Sequence, residues 1–217
     1  MGSTVFATIQ HVKAFAEQCF SSANGSHDWD HSQRVSSLCM HIGQIEGANL
    51  QVVKIAAYLH DIGRPHEDAS RGAICHAKKG AEIARELLEK YPISQEHKAN
   101  IIHCIRSHRF RGNHAPETLE AKVLFDADKL DAIGAVGIGR AFLFAGEVGA
   151  RLHTPHVEPE DTLPYTEEDT GYREYKLKLS RIKDRMLTTE GRRMAEGRHA
   201  FMEAFFQRFT QEYDGYK

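Results

Sequence analysis

The sequence predicts an all-α protein. Three observations carry that expectation. Apolar residues recur at i, i+3 or i+4 through nearly the whole chain, no segment alternates apolar and polar residues as a half-buried strand would, and start and stop signals bracket the apolar stripes. At 217 residues, 41% hydrophobic and 27% charged, the chain has the length and mix of one globular domain, with room for a helical extension.

Phe6 to Cys19 reads as a first helix and Ala23 to Ser26 as a loop. Asp30 is placed to cap the next helix, with Gln33 completing a capping box. Val35, Leu38, Cys39, Ile42 and Ile45 form its buried stripe, which His31 extends by one turn. Leu50 to Asp61 is nearly all apolar and is expected to be buried, with Gly63 and Pro65 stopping it. That helix ends in His60 and Asp61, two polar residues where burial is costly unless they are paired or ligated. Local violations of this kind mark functional positions.

A helix from His76 to Lys90 carries Ala77, Ala81, Ala84, Leu87 and Leu88 on one side. Pro92 and Ser94 introduce the next, in which Ile101, Ile105 and His108 share the inward face and His103 falls off it. Arg109 to Pro116 reads as a polar loop, and Glu117 to Ala132 as a helix with Leu124 and Asp128 one turn apart. Gly134, Gly137 and Gly139 have the spacing of a phosphate loop but lack its preceding strand, so they read as small residues for close helix packing. Residues 149–171 hold Pro155, Pro159 and Pro164 among acidic runs and are expected to form a long loop or lid. Two amphipathic helices follow, one striped by Tyr175, Leu179, Ile182 and Met186, the other by Met194, Phe201, Phe205 and Phe209. The expected organisation is a helical core over 1–148, the loop or lid over 149–171, and C-terminal helices over 172–217 packed on the core as a single domain.

Lys and Arg number 28 against 30 Asp and Glu, a net charge of −2, so no global basic field exists and no nucleic-acid partner is expected. No apolar run reaches the length of a membrane span, and the start lacks a secretory pattern. Cys19, Cys39, Cys75 and Cys104 are scattered among apolar residues with no Cys-x-x-Cys pair, which predicts buried reduced thiols and a cytoplasmic location. The oligomeric state is left open, a homodimer being one arrangement.

The polar residues on the inward faces are His31, His60, Asp61, His76, His108 and Asp128. Imidazoles with carboxylates form a mixed nitrogen and oxygen set that suits Mn, Mg, Fe, Co or Zn, with positions left for water and substrate. Asp126 and Asp131 compete with Asp128, the first from the opposite helix face and the second from one turn away.

His31 in His-Ser-Gln-Arg-Val, His60-Asp61-Ile62-Gly63-Arg64, and Ala127-Asp128-Lys129-Leu130-Asp131-Ala132 resemble, in order and separation, the three defining motifs of the HD-domain phosphohydrolase superfamily. The flanking residues are similar to its compact bacterial single-domain branch, which includes nucleotide pyrophosphohydrolases. The likeness is close over the first two-thirds of the chain and looser beyond. It implies a helical bundle around a metal and hydrolysis of phosphate esters or anhydrides. Carried over by position, it implies that His31, His60, Asp61 and Asp128 hold one divalent ion, Mn foremost, with Mg, Fe, Co, Ni or Zn as alternatives. His76 and His108 match the extra histidines of two-metal members. Ser107 precedes His108, however, so the tandem-histidine signature is not intact, and the two are expected to contact phosphate.

In that scheme the ion polarises phosphoryl oxygens and lowers the pKa of bound water, while Asp61 orients the water. Glu67 is a candidate general base or leaving-group acid. Arg64, Lys79 and Lys129 are candidates to clamp phosphate oxygens, with a plain surface role as their rival reading. The expected substrate is a small phosphorylated molecule, a nucleotide, and the expected reaction takes nucleoside triphosphate to monophosphate plus pyrophosphate. The alternatives are a cyclic-nucleotide or dinucleotide phosphodiesterase and a nucleotide-binding regulator without turnover.

Overall fold

The computed structural model describes residues 3–20, 29–109 and 114–217. Every regular element among them is helical. The expected loop at 23–26 and residues 110–113 of the expected loop at 109–116 lie outside the described residues. The chain falls into two compact units, Met1–Asp128 and Lys129–Lys217, which meet inside one helix.

The first unit comprises α1 (Ser3–Cys19), α2 (Trp29–Glu46), α3 (Leu50–Leu59), α4 (Arg64–Ala69), α5 (His76–Leu88), α6 (Gln95–Ser107) and most of α7 (Leu119–Asp131). Its centre is α3, which packs against α1, α2 and α6. The sequence explains that position. Val52, Val53, Ile55, Ala56, Ala57, Tyr58 and Leu59 are all buried, so the helix is apolar around most of its circumference and is stable only when wrapped by others. Asn49 starts it by accepting from the backbone N–H groups of Gln51 and Val52. Truncating a fully buried side chain here, Leu59 for example, is expected to cost about 2–5 kcal/mol.

Three local expectations are corrected. Helix α2 begins at Trp29, so Asp30 lies in its first turn, where its carboxylate accepts from the Gln33 side chain at 3.3 Å. Pro65 does not only end α3. It occupies the first turn of α4, where its missing N–H costs nothing, and Glu67 therefore sits on a helix and not on a loop. Cys39 and Cys104 are buried free thiols, but Cys19 and Cys75 are only half-buried.

The turn between α3 and α4 is tight, with Arg64 N–H bonded to the Asp61 carbonyl at 2.9 Å. The start of α5 lies directly on it. A Cβ on Gly63 would stand 2.2 Å from the His76 carbonyl oxygen and 2.7 Å from the Gly80 nitrogen. Only a glycine permits that approach, and the approach brings His76 beside Asp61.

The second unit holds the end of α7, then α8 (Gly134–Glu147), α9 (Gly171–Leu177) and α10 (Thr189–Tyr213), with α8 packed on α9 and α10. Gly137 supports the small-residue reading, since a Cβ there would lie 2.2 Å from the Ala132 carbonyl oxygen, whereas Gly139 has nothing near it. Two stripes differ from expectation. The segment after Gly171 is not one helix: α9 ends at Leu177, and two 3-10 turns, Leu179–Arg181 and Lys183–Arg185, follow. Leu179 and Ile182 are nonetheless buried, because a spacing of three suits the tighter 3-10 period. In α10 the buried line is Ala195, Met202 and Phe206, and Phe201 is exposed.

The proline-bearing segment 149–171 is braced by Arg173 of α9 and by bonds among its own residues. Arg173 donates to Asp169 Oδ1 at 2.8 Å, to Thr162 Oγ1 at 2.6 Å and to the Thr162 carbonyl at 3.3 Å. Tyr165 N–H bonds to Asp169 Oδ2 at 2.8 Å, and a short 3-10 turn covers Pro159–Asp161.

Candidate metal centre

Four helices and one turn bring six side chains together inside the first unit. His31 comes from the first turn of α2, on the stripe continued by buried Val35, Cys39 and Ile42. His60 and Asp61 come from the point where α3 ends. His76 opens α5, His108 caps the end of α6, and Asp128 comes from α7. His31, His60, Asp61, His76 and His108 are all buried, while the Asp128 side chain keeps 17% exposure.

The donor atoms converge. His31 Nε2 lies 3.3 Å from His60 Nε2, 3.4 Å from Asp128 Oδ1 and 3.8 Å from Asp61 Oδ2, and His60 Nε2 lies 3.7 Å from Asp61 Oδ2. Donors that share one ion at about 2.1 Å must stand roughly 3.0–3.4 Å apart, whether the shell is octahedral or tetrahedral. The observed spacings lie at or slightly above that range. A second group faces the other oxygen of Asp61: His76 Nε2 at 3.5 Å and His108 Nε2 at 3.4 Å from Oδ1, and 3.2 Å from each other. His31, His60 and Asp128 thus form one triad able to hold a cation, Asp61, His76 and His108 form another, and Asp61 reaches towards both.

The ring orientations fit the same chemistry. His60 Nδ1 lies 2.8 Å from the Ala57 carbonyl and His108 Nδ1 lies 2.6 Å from the Ile105 carbonyl. A carbonyl has no proton to give, so in the neutral ring Nδ1 carries it and Nε2 presents a lone pair to the cluster. Burial, opposed by Asp61, lowers the pKa of His60 to about 4, and burial likewise lowers that of His76 to about 4. Both rings are therefore neutral near pH 7.

Around the cluster, Glu67 Oε2 accepts from His76 Nδ1 at 2.5 Å and from Arg64 Nη1 at 3.2 Å. Arg64 Nε also donates to Asp61 Oδ2 at 3.2 Å. Glu67 Oε1 faces Arg109 Nη2 at 3.4 Å, and Arg109 Nη1 meets Cys75 Sγ at 3.2 Å. Backbone N–H groups at the start of α5 and the Arg109 guanidinium outweigh burial at Cys75 and lower its pKa. Sequence reasoning missed Arg109. Its one local signal is that it directly follows His108 in Arg-Ser-His-Arg, and the carboxylate it meets is far away along the chain.

Two further candidates are Lys79 and Lys129, the latter buried and directly following Asp128 in α7. Lys79 pairs with Glu82 one turn along α5, at 3.5 Å. Lys129 is the first residue of the second unit. Of the rival carboxylates, Asp126 is fully buried, and Asp131 pairs with Arg140 at 2.9 Å.

Residues 28–133 match the HD domain family. YpgQ of Bacillus subtilis is 35% identical over 211 residues, covering 95% of this chain and 94% of that protein. Its crystal structure in complex with ADP superposes with a TM-score of 0.74 at 30% identity, covering 98% of both chains. An HD-superfamily hydrolase from Bacillus thuringiensis gives a TM-score of 0.77 at 28% identity, covering 98% of this chain and all of that one. Ribonuclease Y of Chloroflexus aurantiacus is 32% identical over 119 residues, which are 55% of this chain but 21% of that protein.

Proposed function

The chain belongs to the HD-domain family of metal-dependent phosphohydrolases, and from that premise we propose that it hydrolyses nucleoside triphosphates to the monophosphate and pyrophosphate. The observation that carries the site assignment is the convergence of His31, His60, Asp61 and Asp128, with His31 Nε2 within 3.3–3.8 Å of the other three. The nucleotide is supported by the YpgQ complex with ADP. No helix among the described residues is long and apolar enough to cross a membrane, which agrees with a cytoplasmic enzyme.

The proposed ligands are His31, His60, Asp61 and Asp128, with manganese as the leading ion. When bound, a divalent ion supplies Lewis-acid polarisation of a phosphoryl oxygen and a water acidic enough to attack near neutral pH. The residues do the rest. The carbonyls of Ala57 and Ile105 fix the His60 and His108 tautomers. Glu67 holds His76 and acts through it, while Asp61 aligns the attacking water. Arg64 lies at the edge of the cluster with a quarter of its side chain exposed and contacts phosphate oxygens. Direct attack of water on the α-phosphorus forms one P–O bond as the bond from that phosphorus to the α–β bridging oxygen breaks, pyrophosphate leaving with the electron pair, so no covalent intermediate on the protein is required.

A second reading, a phosphodiesterase using two ions, is favoured by one specific observation: Asp61, His76 and His108 form a complete additional triad. The test for both is a manganese-supplemented panel of nucleoside triphosphates, cyclic nucleotides and dinucleotides with products identified by mass. Pyrophosphate from triphosphates supports the first reading. A linearised cyclic nucleotide with triphosphates untouched supports the second, and no product from any nucleotide contradicts both.

A further inference from the structure

Outside the cluster, one carboxylate is shared by two guanidinium groups. Glu67 Oε2 accepts from Arg64 Nη1 at 3.2 Å, and Oε1 faces Arg109 Nη2 at 3.4 Å. The two arginines come from distant parts of the chain, one opening α4 and the other just past α6. Glu67 itself is nearly buried, and behind it His76 leads to Asp61. The arginines are not buried: 25% of the Arg64 side chain and 35% of the Arg109 side chain face solvent. An arginine held on one side by Glu67 and Cys75, and open on the other, has lost rotamer freedom before any ligand arrives.

We propose that Arg109 and Arg64 together form a receptor for a chain of two or more phosphoryl groups, with Arg109 selecting the phosphates farther from the cluster. The inference deepens the nucleoside triphosphate reading and rests on it for the identity of the natural ligand. Three features of the geometry carry it. Guanidinium is the side chain whose planar fork matches phosphate oxygens in pairs. The two forks meet different oxygens of Glu67 from separate segments of the chain, so they present two distinct donor groups. Arg64 also touches Asp61, so its phosphate lies next to the reacting centre, whereas Arg109 contacts Glu67 and Cys75, which stand further from that centre than Asp61. Arg109 is thus a specificity-determining residue. It distinguishes a polyphosphate chain from an isolated phosphate or a diester, which has no second phosphoryl group to reach it.

The test is isothermal titration of manganese-loaded protein, cleared of free ion, with inorganic tripolyphosphate and with orthophosphate. Wild type is compared with Arg109→Gln, Arg109→Lys and a control, Arg106→Gln; Arg106 lies on the exposed side of α6 and donates to His114 at 3.0 Å. Arg109→Gln is expected to weaken tripolyphosphate at least about tenfold while changing orthophosphate less than about threefold. Arg109→Lys is expected to fall between, since it keeps charge without the fork, and Arg106→Gln to match wild type. Thermal melting of each variant reads any loss of folding separately. The proposal is overturned if Arg109→Gln binds tripolyphosphate as wild type does. It is equally overturned if both ligands weaken together, or if wild type itself does not prefer tripolyphosphate. Because the titration needs no turnover, it stands even if the nucleotide panel shows that triphosphates are not the substrates.

Discussion

His76 and His108 face each other through their Nε2 atoms at 3.2 Å, each with its Nδ1 already engaged, by Glu67 Oε2 and by the Ile105 carbonyl. With Nδ1 of each ring already engaged, the two Nε2 atoms converge on one point, an arrangement suited to a proton or a cation between them. The first triad does not need His108. His108→Ala is therefore expected to keep one manganese per chain, the ion held by His31, His60, Asp61 and Asp128, whereas Asp61→Ala removes one of these four ligands and loses bound metal and turnover together. Metal content by mass spectrometry after gel filtration checks this, and an Asp61→Ala protein that stayed fully active would contradict it.

Among the described residues, Glu67 reaches the cluster through His76 and Arg64. Removing its charge while keeping its shape, in Glu67→Gln, is expected to lower kcat or metal affinity by about 10–100-fold, the usual scale for a group that orients a metal-binding histidine. A Glu67→Gln enzyme with wild-type kcat and metal affinity would show that His76 needs no such support.

Metal-free protein should lose stability on mild acidification. The folded-state pKa values of His60 and His76 are lowered from 6.5 to about 4, mainly by burial. As pH falls the unfolded chain binds protons first, so the stability these rings contribute is complete above about 6.5 and declines down to about 4. For His60 alone the loss by pH 5 is about 2 kcal/mol. Melting temperatures measured in chelator between pH 7.5 and 5 are expected to fall, and a flat profile would count against neutral buried rings.

Gly63 carries a packing prediction. Its hypothetical Cβ meets backbone atoms of His76 and Gly80, which cannot rotate away. Gly63→Ala must push the start of α5 off the α3–α4 turn and carry His76 away from Asp61. The expected cost is about 1–3 kcal/mol in stability, with a larger relative loss of activity. Thermal melting and kcat measured on the same preparation check both parts.

Much of this arrangement was legible in the sequence because it is local or periodic. His31 continues an apolar stripe, and His60 and Asp61 end an apolar helix, so their burial follows from helix geometry alone. Helix face set Asp128 apart from Asp126 but not from Asp131, which lies one turn away. What periodicity cannot carry is contact between distant segments. The Glu67–His76 bond depends on Pro65 starting a new helix, a choice that tertiary packing made. Arg109 meets Glu67 once α5 packs against both α4 and α6. In the second unit, the stripe from Tyr175 to Met186 has buried spacings of both three and four, and only packing decides where the helix gives way to 3-10 turns.

The most direct measurement is anomalous scattering from a crystal of manganese-loaded protein. The account predicts a peak about 2.0–2.3 Å from His31 Nε2, His60 Nε2 and carboxylate oxygens of Asp61 and Asp128. A fully loaded crystal with no peak among those four side chains, or with its manganese bound elsewhere, would contradict it.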